Sequence, residues 1–422
     1  MNTLRKIWCR TYQTAFRVAL PLLPYREPKL LENMDAVADL LAGKGLSPVL
    51  IVTDKGISSL GLLRGLTDAL DAQGVEWRVF DEVTANPTIH NVEAARQMYL
   101  DEGCKALIAF GGGSSMDCAK ACGARIVRPK KPVQKMRGLL QVMHRLPALI
   151  AVPTTAGTGS ETTLAAVITD SETKHKYPIN DFSLIPHYAV LDPAVTAGLP
   201  AGLTATTGMD ALTHAVEAYI GRSTTAHTRA MAIEAVQLIR QYLKRAHDNG
   251  QDLEARAKML RAAYCAGIAF TQSYVGYVHG VAHSLGGQYG LPHGLANAII
   301  LPWFLEEYGP ACHHRLGELA RQTGVAPADA SDAEAAGIFI AWVREMNDSM
   351  GIPRTVDCIQ PEDIPQMAAH ADQESNPLYP VPKLMDAEEL AHMYDVIAGS
   401  QTAGKGASHE RRIPYQSAAA IL

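Results

Sequence analysis

The chain has 422 residues, 47% hydrophobic and 19% charged, with 34 Gly and 24 Pro; this excludes a disordered or fibrous protein and suits two domains, since single cores seldom grow much past about 250–300 residues. A formal net charge of −5 gives no basic field for nucleic acid, and no run approaches the ~18 uninterrupted apolar residues of a membrane helix. Seven scattered cysteines (Cys9, Cys104, Cys118, Cys122, Cys265, Cys312, Cys358) with no C-x-x-C pair suit a reducing compartment, so a cytoplasmic protein is expected.

Residues 1–26 carry Arg5, Lys6, Arg10, Arg17 and Arg26 and no acid, with Trp8, Tyr12, Ala15 and Ala19 at helical spacing. The segment reads as a helix packed on the protein's own body, the alternative being a targeting or membrane-surface helix.

From Pro48 to about Asp192, β-branched runs alternate with helical stretches: VLIVT, a helix to Ala72, WRVFD, a helix to about Leu100, then ALIAF. PALIAVPTT, LAAVITD and HYAVLDP supply further strands. Such alternation predicts βαβ units and a parallel sheet. Asp54 ends the VLIVT strand, where a carboxylate can accept from an adenosine ribose hydroxyl and repel a 2′-phosphate, favouring NAD over NADP; a plain helix N-cap is the competing reading.

ALIAFGGGSSMDCAKA is an apolar strand, a glycine turn and a helix opening at Ser114, with Asp117 as a capping-box partner. Three glycines let the backbone approach a pyrophosphate, and a helix start offers unpaired N–H groups. The spacing is not G-x-G-x-x-G, so turn glycines without a ligand remain the alternative. PTTAGTGSE adds a second loop, with hydroxyls at Thr154, Thr155, Thr158 and Ser160. Two such loops suggest the two ends of one dinucleotide.

DPAVTAGLP marks a boundary, giving a dinucleotide-binding α/β domain over residues 1–195 and a helical, metal-binding catalytic domain over 196–422. In the latter, AMAIEAVQLIRQYLKRAH sets Ile233, Val236, Leu238, Tyr242 and Leu243 on one side of a helix. GMDALTHAVEAY places Asp210 and His214 one helical turn apart, and HGVAHSLGGQYGLPHG adds His279, His283 and His293. One carboxylate and three imidazoles saturate the protein side of a divalent site suited to Fe(II) or Zn(II); spacing alone would choose His279 with His283. Tyr274 and Tyr277 either narrow a substrate pocket or pack a helix face. Gly399 to Leu422 lacks periodicity and reads as a loosely held tail.

GGGSSMDCAKA, PTTAGTGSE, TGMDALTHAVEAY and HGVAHSLGGQYGLPHGLANAIILP together resemble the iron-containing, group III alcohol dehydrogenase family, from about Val49 to about Ile397. The resemblance implies an N-terminal α/β nucleotide-binding domain with a parallel sheet and an all-helical C-terminal metal domain. It implies Asp210, His214, His279 and His293 as the metal ligands, iron first and zinc second, with His283 as a proton-relay residue beside them. It assigns Gly112, Gly113, Ser114, Asp117, Thr154, Thr155 and Thr158 to NAD, with Asn86 and Lys176 as further contacts. The sequence departs from the family pattern at LPLLPYREPKLLENMD. It departs again from Cys118 to Ser160, a stretch with no acid but with Arg125, Arg128, Lys130, Lys131, Lys135, Arg137 and Arg145, read as a solvated loop.

The expected activity is metal-dependent, NAD-linked interconversion of a small primary alcohol and its aldehyde by a homodimer. Alternatives are a hydroxyacid-oxoacid transhydrogenase, a maleylacetate-type reductase, an NAD-using lyase of the dehydroquinate-synthase type, and a non-catalytic scaffold docked through the basic N-terminal helix.

Overall fold

The computed structural model describes residues 1–172 and 175–399; the expected loose tail lies, beyond Gly399, outside the described residues. Helix α1 (Thr3–Ala19) opens the chain and a 3-10 turn (Leu20–Leu22) follows it. Strands and helices then alternate as β1 (Lys29–Leu31), α2 (Met34–Gly43), β2 (Val49–Val52), α3 (Lys55–Ser59), α4 (Arg64–Ala72), β3 (Trp77–Phe80), α5 (Ile89–Asp101), β4 (Ala106–Gly111) and α6 (Gly113–Val127). Five strands complete this half: β5 (Gly138–Leu139), β6 (Ala148–Pro153), β7 (Ala165–Asp170), β8 (His175–Asn180) and β9 (Tyr188–Val190).

The remainder is helical: α7 (Ala201–Ile220), α8 (Ala226–Asp248), α9 (Leu253–Ser273), α10 (Tyr277–Tyr289), α11 (His293–Tyr308), α12 (Pro310–Gln322), α13 (Asp332–Ser349), α14 (Ile364–Ser375) and α15 (Ala387–Ile397). The expected class, a parallel α/β half followed by a helical half, is the one observed.

The main sheet runs β1-β9-β6-β4-β2-β3 with every pairing parallel. Its central strands β2, β4 and β6 bury both faces, which is why they read as unbroken apolar runs. Leu50, Val52, Leu107, Ala109, Leu149 and Ala151 join the α5 and α6 side. Their neighbours Val49, Ile51, Ala106, Ile108, Ile150 and Val152 join the α2 and α4 side.

Several expectations change. LAAVITD is a strand but lies outside the main sheet: β7 pairs antiparallel with β8 in a separate three-stranded sheet. Strand β8, HKYPIN, went unforeseen because Lys176 and Pro178 break the apolar signal. The helix expected to run on to Ala72 is interrupted between α3 and α4, where Gly61 takes φ +69°. Helix α6 opens one residue early, at Gly113, with Gly112 as an N-cap that makes no side-chain bond. There is no capping box there: a glycine N-cap has no side chain to offer, and this start puts Ser115, not Asp117, at the third helical position.

The basic stretch after Cys118 is less solvated than expected. Arg125 pairs with Glu93 and donates to the carbonyls of Arg128, Pro129 and Lys131, while Arg128 reaches Val142 O. Helix α1 packs on the body, but through Cys9, Gln13 and Leu20; Trp8 and Ala15 face solvent. The docked side is mixed: Cys9 joins the core and Phe16 meets Tyr274 edge-on, while Arg5 forks onto Asp372 at 2.7 and 2.8 Å and the Gln13 amide donates to Tyr379 O at 2.7 Å.

The two halves meet backbone to backbone. A Cβ on Gly159 (φ +58°) would lie 2.7 Å from Cα of Gly267 in α9, and one on Gly157 would lie 2.7 Å from Thr207 Cβ in α7. Only glycine permits that approach.

Candidate metal centre and nucleotide site

Helix α7 carries Asp210, His214 and Glu217 at spacings of four and three, so all three share one face. Helix α10 brings His279 and His283, and α11 begins at His293. One ligand atom from each of Asp210, His214, His279 and His293 lies within 4.8 Å of the others. His283 is adjacent: its ring stacks on His293 at 5.2 Å between centroids, and His214 stacks on Phe270 at 4.1 Å.

Hydrogen bonds aim these ligands. Glu217 Oε2 accepts a hydrogen bond from His279 Nδ1 at 2.5 Å, and Oε1 accepts from Val278 N at 3.0 Å. This leaves His279 Nε2 with a lone pair, the arrangement in which a carboxylate orients a ligating imidazole. Burial lowers the pKa of His214 and His279, and takes His293 down to about 4. All three are therefore neutral at pH 7, the form that ligates.

Whether these residues suit a cation is tested by Asn297. Its amide nitrogen faces Asp210 Oδ1 at 2.6 Å, His279 Nε2 at 3.1 Å and His293 Nε2 at 3.1 Å. Two amide hydrogens cannot satisfy three converging acceptors. A divalent cation satisfies them all, and the mixed nitrogen and oxygen donor set suits iron or zinc.

His283 is held from behind. Its Nδ1 lies 2.6 Å from Glu374 Oε1, which also accepts from Tyr379 OH at 2.7 Å. Desolvation lowers the pKa of His283, but the Glu374 charge and hydrogen bond outweigh it, so the net shift is upward.

One cavity of about 3720 Å³ runs from the four ligands to the glycine loop. Asn86, Gly113, Ser114, Asp117, Thr158 and Lys176 line it, with Asp210, His214, His279, His283 and His293 at the other end. Lys176 Nζ donates to Asn86 Oδ1 at 2.7 Å, and Asn86, itself at φ +59°, donates its N–H to Ser114 Oγ at 3.3 Å. Gly112, Thr154, Thr155 and Asp54 stand outside the lining. Gly112 packs on Thr155, which a Cβ would meet at 3.6 Å, and Thr154 N donates to Gly111 O. Asp54 caps α3 through Ile57 N, as the competing reading had it. Asp117 bridges Ser160 Oγ and Val167 N, both at 3.0 Å, and so ties the two loops together. Tyr274 lines the cavity, whereas Tyr277 is buried with its hydroxyl on Asn376 and Met385.

Sequence reasoning missed Glu217, Asn297, Glu374 and Lys120. The first two carried a signal, since each follows a ligand by three or four residues on one helix. Glu374 carried none: it lies 91 residues from His283.

Comparison with known proteins follows the same geometry. The family model described as iron-containing alcohol dehydrogenase matches residues 31–193, and that of the C-terminal part of the Fe-containing family matches 204–397. The chain is 35% identical to 1,3-propanediol dehydrogenase of Klebsiella pneumoniae over 383 residues, covering 90% of this chain and 98% of that one. It is 38% identical over 339 residues to the NAD-dependent methanol dehydrogenase of Bacillus methanolicus, covering 79% and 89%. A solved 1,3-propanediol oxidoreductase superposes with a TM-score of 0.84 at 35% identity, covering 88% and 99%. Helix α1 lies outside both matched ranges.

Proposed function

The chain belongs to the iron-containing alcohol dehydrogenase family, and on that premise we propose that it interconverts a small primary alcohol and its aldehyde with NAD, at a metal held by Asp210, His214, His279 and His293. The carrying observation is the convergence of those four ligand atoms within 4.8 Å at one end of a cavity whose other end is the glycine loop. When bound, a divalent metal supplies Lewis acidity toward a substrate oxygen and NAD accepts or returns the hydride.

The chain's own residues do the rest. Glu217 and Asn297 hold the ligand ring and carboxylate in place. Glu374 fixes Nδ1 of His283, which leaves Nε2 as the atom that takes or returns the substrate proton. Phe270 and Tyr274 give the substrate end an apolar wall that excludes water, favouring short, weakly polar substrates. At the other end Asn86, Gly113, Ser114, Asp117, Thr158 and Lys176 line the dinucleotide site in this reading, with Gly112, Thr154 and Thr155 shaping the loops behind them and Asp54 capping α3. The reading includes a homodimer in the cytoplasm. All seven cysteines are unpaired, and no described helix is long and apolar enough to cross a membrane.

The test is NADH formation from short primary alcohols, diols and hydroxy acids by protein loaded with Fe(II) or with Zn(II), beside a His279→Ala control. Turnover that disappears in the control supports the proposal. Silence across the whole panel with metal and NAD both bound overturns it in favour of a transhydrogenase or lyase.

A further inference from the structure

Helix α1 wears its apolar side outward. Leu4 is 81% exposed, Ile7 58%, Trp8 59%, Val18 72% and, in the turn that continues the helix, Leu22 86%. These are five of the thirteen exposed large hydrophobic residues among the described residues, so the patch is concentrated and needs an occupant. Its opposite side is fixed to the body by the Arg5 fork onto Asp372, by Arg10 onto the carbonyls of Val381 and Pro382, and by Gln13. The helix therefore cannot roll over to bury the stripe.

The spacing identifies the occupant. Leu4, Thr11 and Val18 recur every seven residues, as do Trp8, Ala15 and Leu22; the two sets interleave as the d and a positions of a heptad, the seam that receives another helix. The positions flanking the seam are Arg5, Ile7, Tyr12, Thr14, Ala19 and Pro21. Arg5 alone is charged, and it is already neutralised by Asp372, so two copies of this face meet without like-charge repulsion.

The stripe is also complementary to itself when reversed. In an antiparallel pair whose dyad passes near residue 13, Leu4 meets Leu22, Trp8 meets Val18 and Thr11 meets Ala15. Large groups then fill the ends and small ones let the helices close at the centre. A lipid surface fits worse. Lys6 and Arg17 lie roughly 140° or more around the axis from the stripe at about 100° per residue, and Arg5, the cation that flanks it, is already paired with Asp372, so the rim of the stripe offers little to an anionic headgroup.

We propose that α1 is a self-association helix that pairs antiparallel with α1 of a second copy of this chain, forming an isologous contact. The measurement is sedimentation equilibrium of the full chain loaded with metal and NAD. Trp8→Glu and Val18→Glu should each halve the mass of the wild-type assembly, raising the dissociation constant at least ~100-fold, with far-UV circular dichroism and turnover unchanged. The double variant Trp8→Lys with Val18→Glu should restore the assembly, because the antiparallel register sets the new cation beside the new anion. Independently, Thr11→Cys combined with Ala15→Cys should cross-link between copies under mild oxidation, while Ala15→Cys alone should not. A monomeric wild type overturns the proposal, as does an assembly mass indifferent to both single variants, a cross-link formed by Ala15→Cys alone, or Trp8-dependent binding to phosphatidylserine vesicles by a chain that stays monomeric.

Discussion

Glu217 spends both carboxylate oxygens on the first turn of α10, one on a backbone N–H and the other on the His279 ring. Burial pushes its pKa up to about 7, with the backbone donors around it opposing the shift. Replacing the carboxylate by an amide removes the partner that aims His279 Nε2. Glu217→Gln should therefore weaken metal affinity about 10–100-fold, read by competition with a chelator. His187 offers a test of stability away from the metal. Its Nδ1 accepts from Leu149 N, and desolvation, helped by Arg26 and Arg145, lowers its pKa from 6.5 to about 4. Between those values the unfolded chain binds the extra proton and the folded chain does not, so the contribution of His187 is complete above 6.5 and lost as the pH falls toward 4. His187→Gln should flatten the fall in unfolding free energy over that window, measured by denaturant titration; an unchanged slope would contradict the assigned environment.

Helix α6 welds the two glycine-rich loops. Lys120 Nζ, fully buried, shares its three protons among four oxygens, Ser160 Oγ, Thr163 O, Thr163 Oγ1 and Ala165 O, at 2.8–3.1 Å. Lys120→Met strands those acceptors and should cost on the order of 2–4 kcal/mol, with weaker NAD binding seen by fluorescence titration alongside the melt. Nothing in GGGSSMDCAKA announced this, because a lysine on a helix ordinarily reads as solvent-facing. The same limit explains what else was legible. VLIVT, ALIAF and PALIAVP declared themselves because both faces of a parallel sheet are buried and demand unbroken apolar runs. KLL was too short to register, and β8 served a small separate sheet. In the metal helices, Asp210 and His214 stood out through local spacing. The separation of the proposed ligands His279 and His293 from neighbouring His283 came only through the family resemblance, since it depends on how α10 and α11 pack against α7. For α1 the period was legible and the direction was not, because nothing local says which side a distant surface will accept.

At the scale of the molecule, the glycine loop and the helices of the proposed metal site belong to halves with different construction, yet they share one cavity. A Cβ on Gly267 would stand 2.2 Å from Thr162 Oγ1 and 2.9 Å from Gly159 O. Gly267→Ala must therefore push α9 away from the loop. Turnover should fall by roughly 100-fold, the scale set by a displacement of about 1 Å between reacting groups, while NAD and metal each still bind. Retention of wild-type turnover would show that the spacing of the halves is slack. The seam has a thermal consequence as well. Side-chain rotamers are among the first things that warming loosens, and a gap bridged by side chains would drift with them. Here main chain rests on main chain, so the gap between the nucleotide loop and the metal helices behaves like a gauge block: it holds its length until the backbone itself gives way.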